Sequence, residues 1–303
     1  MLAVTPGDCA AAQLRAAGVA TEVLPWRDLL HEGPVPAGLD SGALARVRAE
    51  YIRSVGWPSG ERAEAELIER DETLADAAAK PVEIILWFDH NLVNRLALLQ
   101  VLDRLAQLRG PGLPDVTLAG PHGFGDAGDD ALTALFDRRA AVTGTQLEHA
   151  RGAWAAFRAP DPTGLVTYTQ DGPLAGLGAA LALHLTQFPA LDGGLAGTER
   201  RALQAIAEGA ADFAAIYRAV TADDDPPWLG DSVLRSHLAR LAAAAHPLLD
   251  DDCRLTDDGR AVLAGHADHV ALNGVDRWLG GVHLTDATAW RYDPTCARPV
   301  RTG

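Results

Sequence analysis

Short apolar runs alternate with longer amphipathic stretches along the first 125 residues of the chain. This alternation is typical of α/β domains in which helices cover a parallel sheet. The clearest run, residues 81–88, is apolar at nearly every position, as expected of a strand buried on both faces. We expect strands at residues 2–5, 21–24, 81–88 and 116–119, and helices at 10–17, 41–55, 60–79 and 92–108. Residues 1–125 are therefore predicted to form a Rossmann-like α/β domain.

The pattern of the remaining chain changes twice. Residues 126–195 are helical with glycine and proline breaks, which predicts a helical bridge between domains. Residues 196–270 contain three predicted helices, a hairpin around the acidic turn 250–252 and a short final helix, the order of a winged-helix domain of the α+β class. We expect those helices at 198–208, 212–220, 231–245 and 259–265. Residues 271–303 are predicted to be a tail that packs back on the body.

Polar segments follow each predicted strand of the first domain. In a parallel sheet with right-handed crossovers the carboxyl ends of the strands meet at one edge, where ligands bind. The sequence therefore predicts one crevice lined by several segments. They are Gly7, Asp8 and Cys9 after the first strand, the stretch 26–36 with Trp26, Asp28, His31, Glu32 and Gly33 after the second, Asp89 and His90 after the third, and His122 after the fourth.

Acid and base catalysis is one chemistry that these residues permit. A histidine exchanges protons near neutral pH, and a carboxylate can orient its imidazole, so we expect His31 to act with Asp28 or Asp89. A purely structural hydrogen-bonding role for His31 is the alternative. Cys9 lies at a predicted helix N-terminus, which lowers the pKa of a thiol and would suit a nucleophile. The sequence contains no nucleophile elbow, no Walker motif and no complete triad spacing.

The remaining candidate positions are assigned to ligand binding. Gly7 and Asp8 could form a short anion-binding loop, although Asp8 would repel a phosphate and could simply cap the first helix. A metal held by Asp28, His31, Asp89 and His90 is considered but not predicted, because adjacent residues of a continuing strand point to opposite faces. The predicted ligand-binding set is Gly7, Asp8, Cys9, Trp26, Glu32, Gly33 and His90, joined by Asn273, Asp276, Arg277 and His283 from the tail.

The tail segment 272–283 interleaves polar residues with glycines and a tryptophan. Glycines at this density permit close backbone approach to another element. In one interpretation the tail returns to the crevice and completes its wall. In the other it is a buried docking segment, in which Asp276 and Arg277 satisfy each other or nearby backbone groups.

Composition narrows the possible partners. The net charge is -15, and residues 196–270 hold seven arginines against thirteen acidic residues, which disfavours nucleic acid. Arg235, His237 and Arg240 on the third helix of that region are the side chains that a DNA groove would meet. No basic leader precedes an apolar segment, and no apolar window approaches the ~18 residues of a membrane span, so a cytoplasmic location without membrane contact is expected.

Several of these motifs resemble an uncharacterised bacterial family, domain of unknown function 1835. The resemblance rests on Gly7-Asp8, on Trp26-x-Asp28 with Gly33-Pro34 five residues further on, and on the run 87–90, Trp-Phe-Asp-His. It covers residues 1–125, and the tail 272–283 is similar to that of relatives with the same layout. Cys9 stands where relatives tend to have serine. The family implies a domain label and no activity.

The expected function is binding of a small molecule or nucleotide at the carboxyl edge of the sheet, with a hydrolase or transferase as the enzyme classes considered. The alternative is a ligand-responsive winged-helix transcriptional regulator. A pure interaction protein is a third possibility, but it leaves the polar strand-end segments without a purpose. The sequence identifies neither a cofactor nor an oligomeric state.

Overall fold

The computed structural model describes residues 1–57, 60–110, 113, 115–120, 127–288 and 290–302. The chain forms two compact units. The first contains residues 1–181 and the short segment 280–282, and the second contains residues 182–279 and 283–303. The predicted helical bridge, residues 126–195, therefore belongs mostly to the first unit.

The first unit is built on a five-stranded sheet. Its strands are β1 (Leu2–Thr5), β2 (Val23–Pro25), β4 (Ile84–Leu86), β5 (Val116–Leu118) and β6 (Ala140–Ala141), and the two-residue strand β3 (Gly33–Pro34) lies outside this sheet. The strand order is β2-β1-β4-β5-β6, in which the first four strands are parallel and β6 is antiparallel to β5. The register pairs Ala3 with Val23 and Ile85, and Ile85 with Thr117.

Helices surround this sheet. They are α1 (Asp8–Ala16), α2 (Ser41–Ser54), α3 (Ala63–Ala78), α4 (Leu92–Arg109), α5 (Asp129–Asp137) and α6 (Gly144–Arg158), followed by a 3₁₀ helix (Pro162–Tyr168) and α7 (Leu177–Leu185). One core joins Ala3 and Ile85 of the sheet to Leu14 of α1 and Leu132 of α5. Helix α4 is buried along almost its whole length and packs against α3 and α6. Asn91 caps α4 by accepting a hydrogen bond from the Asn94 backbone N–H.

The mixed α/β architecture with a mostly parallel N-terminal sheet confirms the coarse fold prediction. The predicted strands and helices of the first 125 residues are present with shifted ends. Strand β4 is shorter than the apolar run suggested, because it ends at Leu86 while the run continues through Trp87 and Phe88. The antiparallel strand β6 falls inside the expected bridge and was missed, since its two alanines carry no periodic pattern.

The second unit contains helices α8 (Gly197–Ala207), α9 (Phe213–Val220), α10 (Asp231–Ala243), α11 (Asp257–Leu263) and α12 (His269–Asn273). Helices α9, α10 and α11 each pack against α8. The predicted hairpin is reduced to one bridge pair, Leu249 with Leu255, and residues 247–256, all described, contain no assigned strand. The winged-helix expectation is therefore not confirmed. No helix of the described residues is long and apolar enough to cross a membrane.

Strands β7 (Arg277–Gly280), β8 (Val282–Leu284), β9 (Trp290–Asp293) and β10 (Arg298–Arg301) complete the chain, and β9 pairs antiparallel with β10. Residues 280–282 of the tail belong to the first unit, and their backbone contacts there explain why two of them are glycines. Gly280 accepts a hydrogen bond from the Val35 N–H at 2.7 Å, and the Gly281 N–H donates to Phe157 at 2.9 Å. A Cβ on Gly281 would overlap the carbonyl oxygen of Arg158. For residues 280–282, close backbone approach accounts for the composition.

Gly33 and Gly38 allow a test of how tightly the segment after β2 is packed. Both have positive φ angles, 78° and 81°. A Cβ on Gly33 would overlap the Tyr51 ring of α2, whereas a Cβ on Gly38 meets open space. We expect Gly38→Ala to lower the free energy of unfolding by about 1–2 kcal/mol through backbone strain alone. Gly33→Ala should cost about 1–3 kcal/mol more through overpacking. Urea denaturation measures both, and equal losses would contradict the packing described here.

Candidate functional site

The segment after β2 is held by a buried ion pair between Asp28 and Arg48 of α2. Arg48 Nη2 lies 2.7 Å from Asp28 Oδ1, and both side chains are at most 1% exposed. Arg48 also donates hydrogen bonds to the carbonyl oxygens of Leu29 at 3.1 Å and Glu32 at 2.6 Å. One guanidinium thus fixes both the side chain and the backbone of the segment.

The structure shows what Asp28 does within the fold. Its carboxylate is enclosed and engaged with Arg48, so it holds this segment in place, and its predicted catalytic role stays a prediction. His31 and Glu32 are 1% and 2% exposed, and their predicted catalytic and ligand-binding roles stay predictions. The sequence identified the polar residues of this segment. It did not identify their partner Arg48, which follows Asp28 by twenty positions.

Trp26 and Gly33 also hold this segment in place. The Trp26 indole is 1% exposed, its Nε1 donates to Gln100 Oε1 of α4 at 2.8 Å, and the Arg70 guanidinium of α3 lies 3.9 Å from its ring centre. Gly33 permits the close approach of Tyr51. Both residues join the segment to the surrounding helices. Trp26 also lines a small pocket with residues of α2, α3, α4 and α6, and the predicted ligand-binding roles of Trp26 and Gly33 stay predictions.

The loop after β1 is exposed and its charge is already paired. Asp8 accepts two hydrogen bonds from Arg27, at 2.5 Å and 2.8 Å. The hydrogen bond from Arg27 lowers the pKa of the Asp8 carboxyl below its usual value, against a small opposing effect of burial. Gly7 occupies the N-cap of α1 without a side-chain cap, and Cys9 is exposed. Asp8 is therefore paired with a cation of its own chain, and α1 has no side-chain cap. Whether this loop binds an anion stays a prediction.

A carboxylate and an imidazole meet directly after β4. His90 Nδ1 lies 2.9 Å from Asp89 Oδ1, and the exposed fractions of the two side chains are 31% and 8%. Asp89 Oδ1 also accepts the His90 backbone N–H at 2.8 Å, while the Asp89 N–H donates to Asn94 Oδ1 at 3.0 Å. The expectation that these neighbours point to opposite faces was wrong, because the strand ends at Leu86 and the chain turns into α4. The arrangement is that of a carboxylate orienting a partly exposed histidine.

Arg95, four residues into α4, was missed by the sequence interpretation. It is 4% exposed, its Nε donates to the Asp89 carbonyl oxygen at 2.7 Å, and its Nη2 donates to the Phe88 carbonyl oxygen. Burial lowers the pKa of this guanidinium to about 10, and the charge of Asp89 partly opposes that effect. Arg95 therefore stays protonated at neutral pH. Arg95 is the one charged residue among residues 92–102 of α4, which are otherwise mostly apolar, and this was the signal that could have identified it.

Arg95 lines a cavity of about 290 Å³ at the carboxyl ends of β4 and β5. The strand ends contribute to its lining, together with β6, the first turn of α6 and the residues before α7. Arg138 is the second cation of the wall, and none of the described lining residues is acidic. The described lining consists of Phe88, Arg95, Leu118, Gly120, Arg138, Ala140, Ala141, Gln146, Pro173, Leu174 and Ala175.

The predicted tail residues belong to the second unit and have partners there. Asn273 accepts the His246 N–H at 2.7 Å and donates to its carbonyl oxygen at 3.1 Å. His283 stacks on Trp278 with ring centres 4.4 Å apart, and its Nε2 lies 2.7 Å from Asp276. Arg277 lies 3.7 Å from Glu199. The idea that these side chains complete the crevice stays a prediction.

Two further expectations concern His122 and a metal. His122 lies outside the described residues. Within the described ranges, no group of three or more histidine, cysteine, aspartate or glutamate side chains is arranged to hold a metal ion. The Asp89 and His90 pair alone supplies too few protein ligands for the usual tetrahedral site.

No protein-family model matches the chain, and no curated protein is significantly similar to it. The resemblance to domain of unknown function 1835 thus stays a prediction. The residues themselves carry the functional argument.

A pair of isosteric substitutions separates structure from ligand binding. Asp28→Asn leaves Arg48 buried without its counter-ion, and we expect a loss of roughly 3–5 kcal/mol in the free energy of unfolding. Asp8→Asn breaks the exposed pair with Arg27 and should cost less than about 1 kcal/mol. Chemical denaturation followed by tryptophan fluorescence measures both variants. Equal stability of Asp28→Asn and the wild type would show that Asp28 is free for another role.

Proposed function

We propose that the protein binds a small molecule at the carboxyl edge of its parallel sheet, in the cavity at the ends of β4 and β5. The cavity itself is the observation that carries this proposal: about 290 Å³ of space lies where open α/β sheets bind their ligands. That volume is near the lower end for ligand pockets, about 300–1,000 Å³. The site lies further along the strand order than the segment after β2 that the sequence favoured.

The Asp89 and His90 pair supports an acid and base function beside this cavity. A Cβ on Gly176 would overlap the Cβ of His90, and Gly176 directly follows Ala175 of the cavity wall. His90 is therefore next to the rim, and Asp89 orients its Nδ1. A hydrolase or transferase would use such a histidine to move a proton at Nε2. Membership of the uncharacterised family and a Rossmann-like ancestry of the sheet are compatible with this assignment and form part of the proposal.

Blocking the cavity tests the proposal. Ala175 is exposed at the wall, and Ala175→Trp should fill part of the space without disturbing a buried position. Ala16→Trp, on the exposed surface of α1, is the matched control. In ligand-detected NMR with mixtures of small metabolites and nucleotides, we expect compounds that bind the wild type to bind Ala16→Trp and to lose at least tenfold in affinity for Ala175→Trp. Unchanged binding by Ala175→Trp would contradict the site.

A ligand-responsive regulator is the second candidate, favoured by the order of α8, α9, α10 and α11 around the Leu249 and Leu255 bridge. In that proposal α10 would enter the DNA groove. Its polar residues are already engaged, however. Arg235 lies 3.5 Å from the Phe213 ring centre, Arg240 is 3.8 Å from Glu199, and His237 is 1% exposed. A DNA-binding role would therefore need these contacts to be replaced.

We expect no DNA binding by this chain. Fluorescence anisotropy with a labelled random duplex at low salt is the measurement, because non-specific DNA binders have dissociation constants of about 10⁻⁴–10⁻⁶ M even at physiological salt. The acidic balance of residues 196–270 and the occupied cations of α10 predict a flat titration. Salt-sensitive binding that is lost in Arg235→Gln would favour the regulator.

A further inference from the structure

Among the described residues, the first unit buries three arginines, Arg48, Arg70 and Arg95, and they are compensated differently. Arg48 is matched by the Asp28 carboxylate at 2.7 Å, and Arg70 by the Asp71 carboxylate at 2.9 Å. Arg95 is 4% exposed and donates to two backbone carbonyl oxygens, but within the described part of the chain no carboxylate oxygen lies within 4.0 Å of its guanidinium. Its Nη1 donates to no described residue. The nearby Asp89 carboxylate acts on Arg95 through its charge but does not contact the guanidinium. A buried charge with no directly bound counter-ion is costly, and such charges are usually paired or bound to a ligand.

The surroundings of Arg95 favour an anion as the missing partner. Arg95 lines the cavity, Arg138 lies at its exposed wall, and the described lining contains no acidic side chain. The chain as a whole carries a net charge of -15, so a cavity lined by two cations differs in sign from the overall charge. Arg138 uses its Nε for the Ala134 carbonyl oxygen, which leaves the far end of its guanidinium for other contacts. The cavity is therefore a local positive site in an acidic protein.

The rest of the lining indicates how polar the uncharged part of the ligand is. Phe88, Leu118 and Leu174 give the cavity an apolar wall. The Gln146 side chain is occupied, because its Oε1 accepts the Thr143 N–H at 3.0 Å and its Nε2 donates to Pro173 at 3.1 Å. Few polar groups are thus left to bind a sugar or a base. A small apolar group fits this wall better than a ribose does.

We propose that the cavity binds a small organic anion, a carboxylate or phosphate ester with an apolar group, whose charge pairs with the Arg95 guanidinium. The inference rests on the proposed function, since it names the ligand class of the same site. Arg95 is positioned by the backbone carbonyl oxygens of Phe88 and Asp89, which hold Nε and Nη2. Nη1 is left for the anion. Planar guanidinium groups recognise carboxylates and phosphates in this way.

Isothermal titration calorimetry with four probes tests the ligand class on the whole chain. Benzoate and phenyl phosphate carry the two anionic groups, benzamide is the neutral counterpart of benzoate, and AMP represents nucleotides. A charge-assisted hydrogen bond contributes about 1.5–3 kcal/mol, so we expect one anion to bind roughly 10–100 times more tightly than benzamide. Preference for benzoate or for phenyl phosphate identifies the head group. Equal binding of benzamide, or tighter binding of AMP than of both phenyl anions, would overturn the inference.

Variants assign the effect to the two arginines. Arg95→Gln removes the charge and keeps one amide donor for a backbone carbonyl, and it should abolish the preference for the anion over benzamide. Arg138→Gln, at an exposed position, should weaken anion binding several-fold without affecting folding. Arg46→Gln, on the exposed face of α2, removes the same charge away from the cavity and should bind like the wild type. If Arg46→Gln weakens binding as much as Arg138→Gln, the effect is one of net charge and the inference fails.

Failure of this inference and failure of the proposed function give different results. One outcome separates the two proposals. If benzamide binds as tightly as benzoate and loses affinity in Ala175→Trp, the anionic ligand class is contradicted while the cavity is supported as a binding site. Benzoate whose affinity is unchanged in Ala175→Trp contradicts both, because the cavity is then not where it binds.

Discussion

A guanidinium removed from water must be compensated by the groups around it, and this requirement shapes the carboxyl edge of the sheet. At the end of β2, Arg48 takes Asp28 and the carbonyl oxygens of Leu29 and Glu32 as its partners, so the segment folds around it. At the end of β4, Arg95 takes two backbone carbonyl oxygens and faces a cavity. The first arrangement is complete within the chain. The second is completed, in our account, by a ligand.

The comparison explains why the most unusual stretch of sequence is not the proposed site. Residues 26–36 concentrate ionisable and aromatic side chains, but these are bound by α2, α3 and α4. Buried polar groups that are fully paired contribute to a unique fold and have little left for chemistry. The Asp89 and His90 pair is less enclosed and adjoins the cavity wall through Gly176. We therefore place the proposed site beside Asp89 and His90, where a polar group is both held in position and accessible to solvent.

The elements of the first unit were predictable because apolar periodicity determines them. The strands and the helices α1 to α4 follow that pattern, and their ends shift by a few residues. Strand β6 was not predictable, since Ala140 and Ala141 pair with β5 while remaining exposed. The hairpin expected in the second unit was overestimated, because an apolar pair on either side of an acidic turn is compatible with one bridge as well as with two strands.

The proposed site lies at the edge of the sheet that the sequence indicated, but its residues were only partly predicted. The rule for parallel sheets indicated the carboxyl edge, and Asp89 and His90 were identified there. The contact between Asp89 and His90 depends on where β4 ends. That end could not be predicted, because the apolar run continues past it. Arg95 could have been found, since residues 92–102 of α4 are mostly apolar and Arg95 is the one charged side chain among them. The pairing of Asp28 with Arg48 could not, because it depends on how α2 packs across the segment.

The accessibility of the Arg48 and Arg95 guanidinium groups, both buried, can be compared in one experiment. NMR signals of the arginine side-chain N–H groups, assigned by substitution and followed during a titration with benzoate and phenyl phosphate, report on Arg95 and Arg48 together. The account predicts a saturable shift of the Arg95 signals with one of the two anions and unchanged Arg48 signals. Shifts confined to exposed arginines, with the Arg95 signals unchanged at saturating concentrations of both anions, would contradict it.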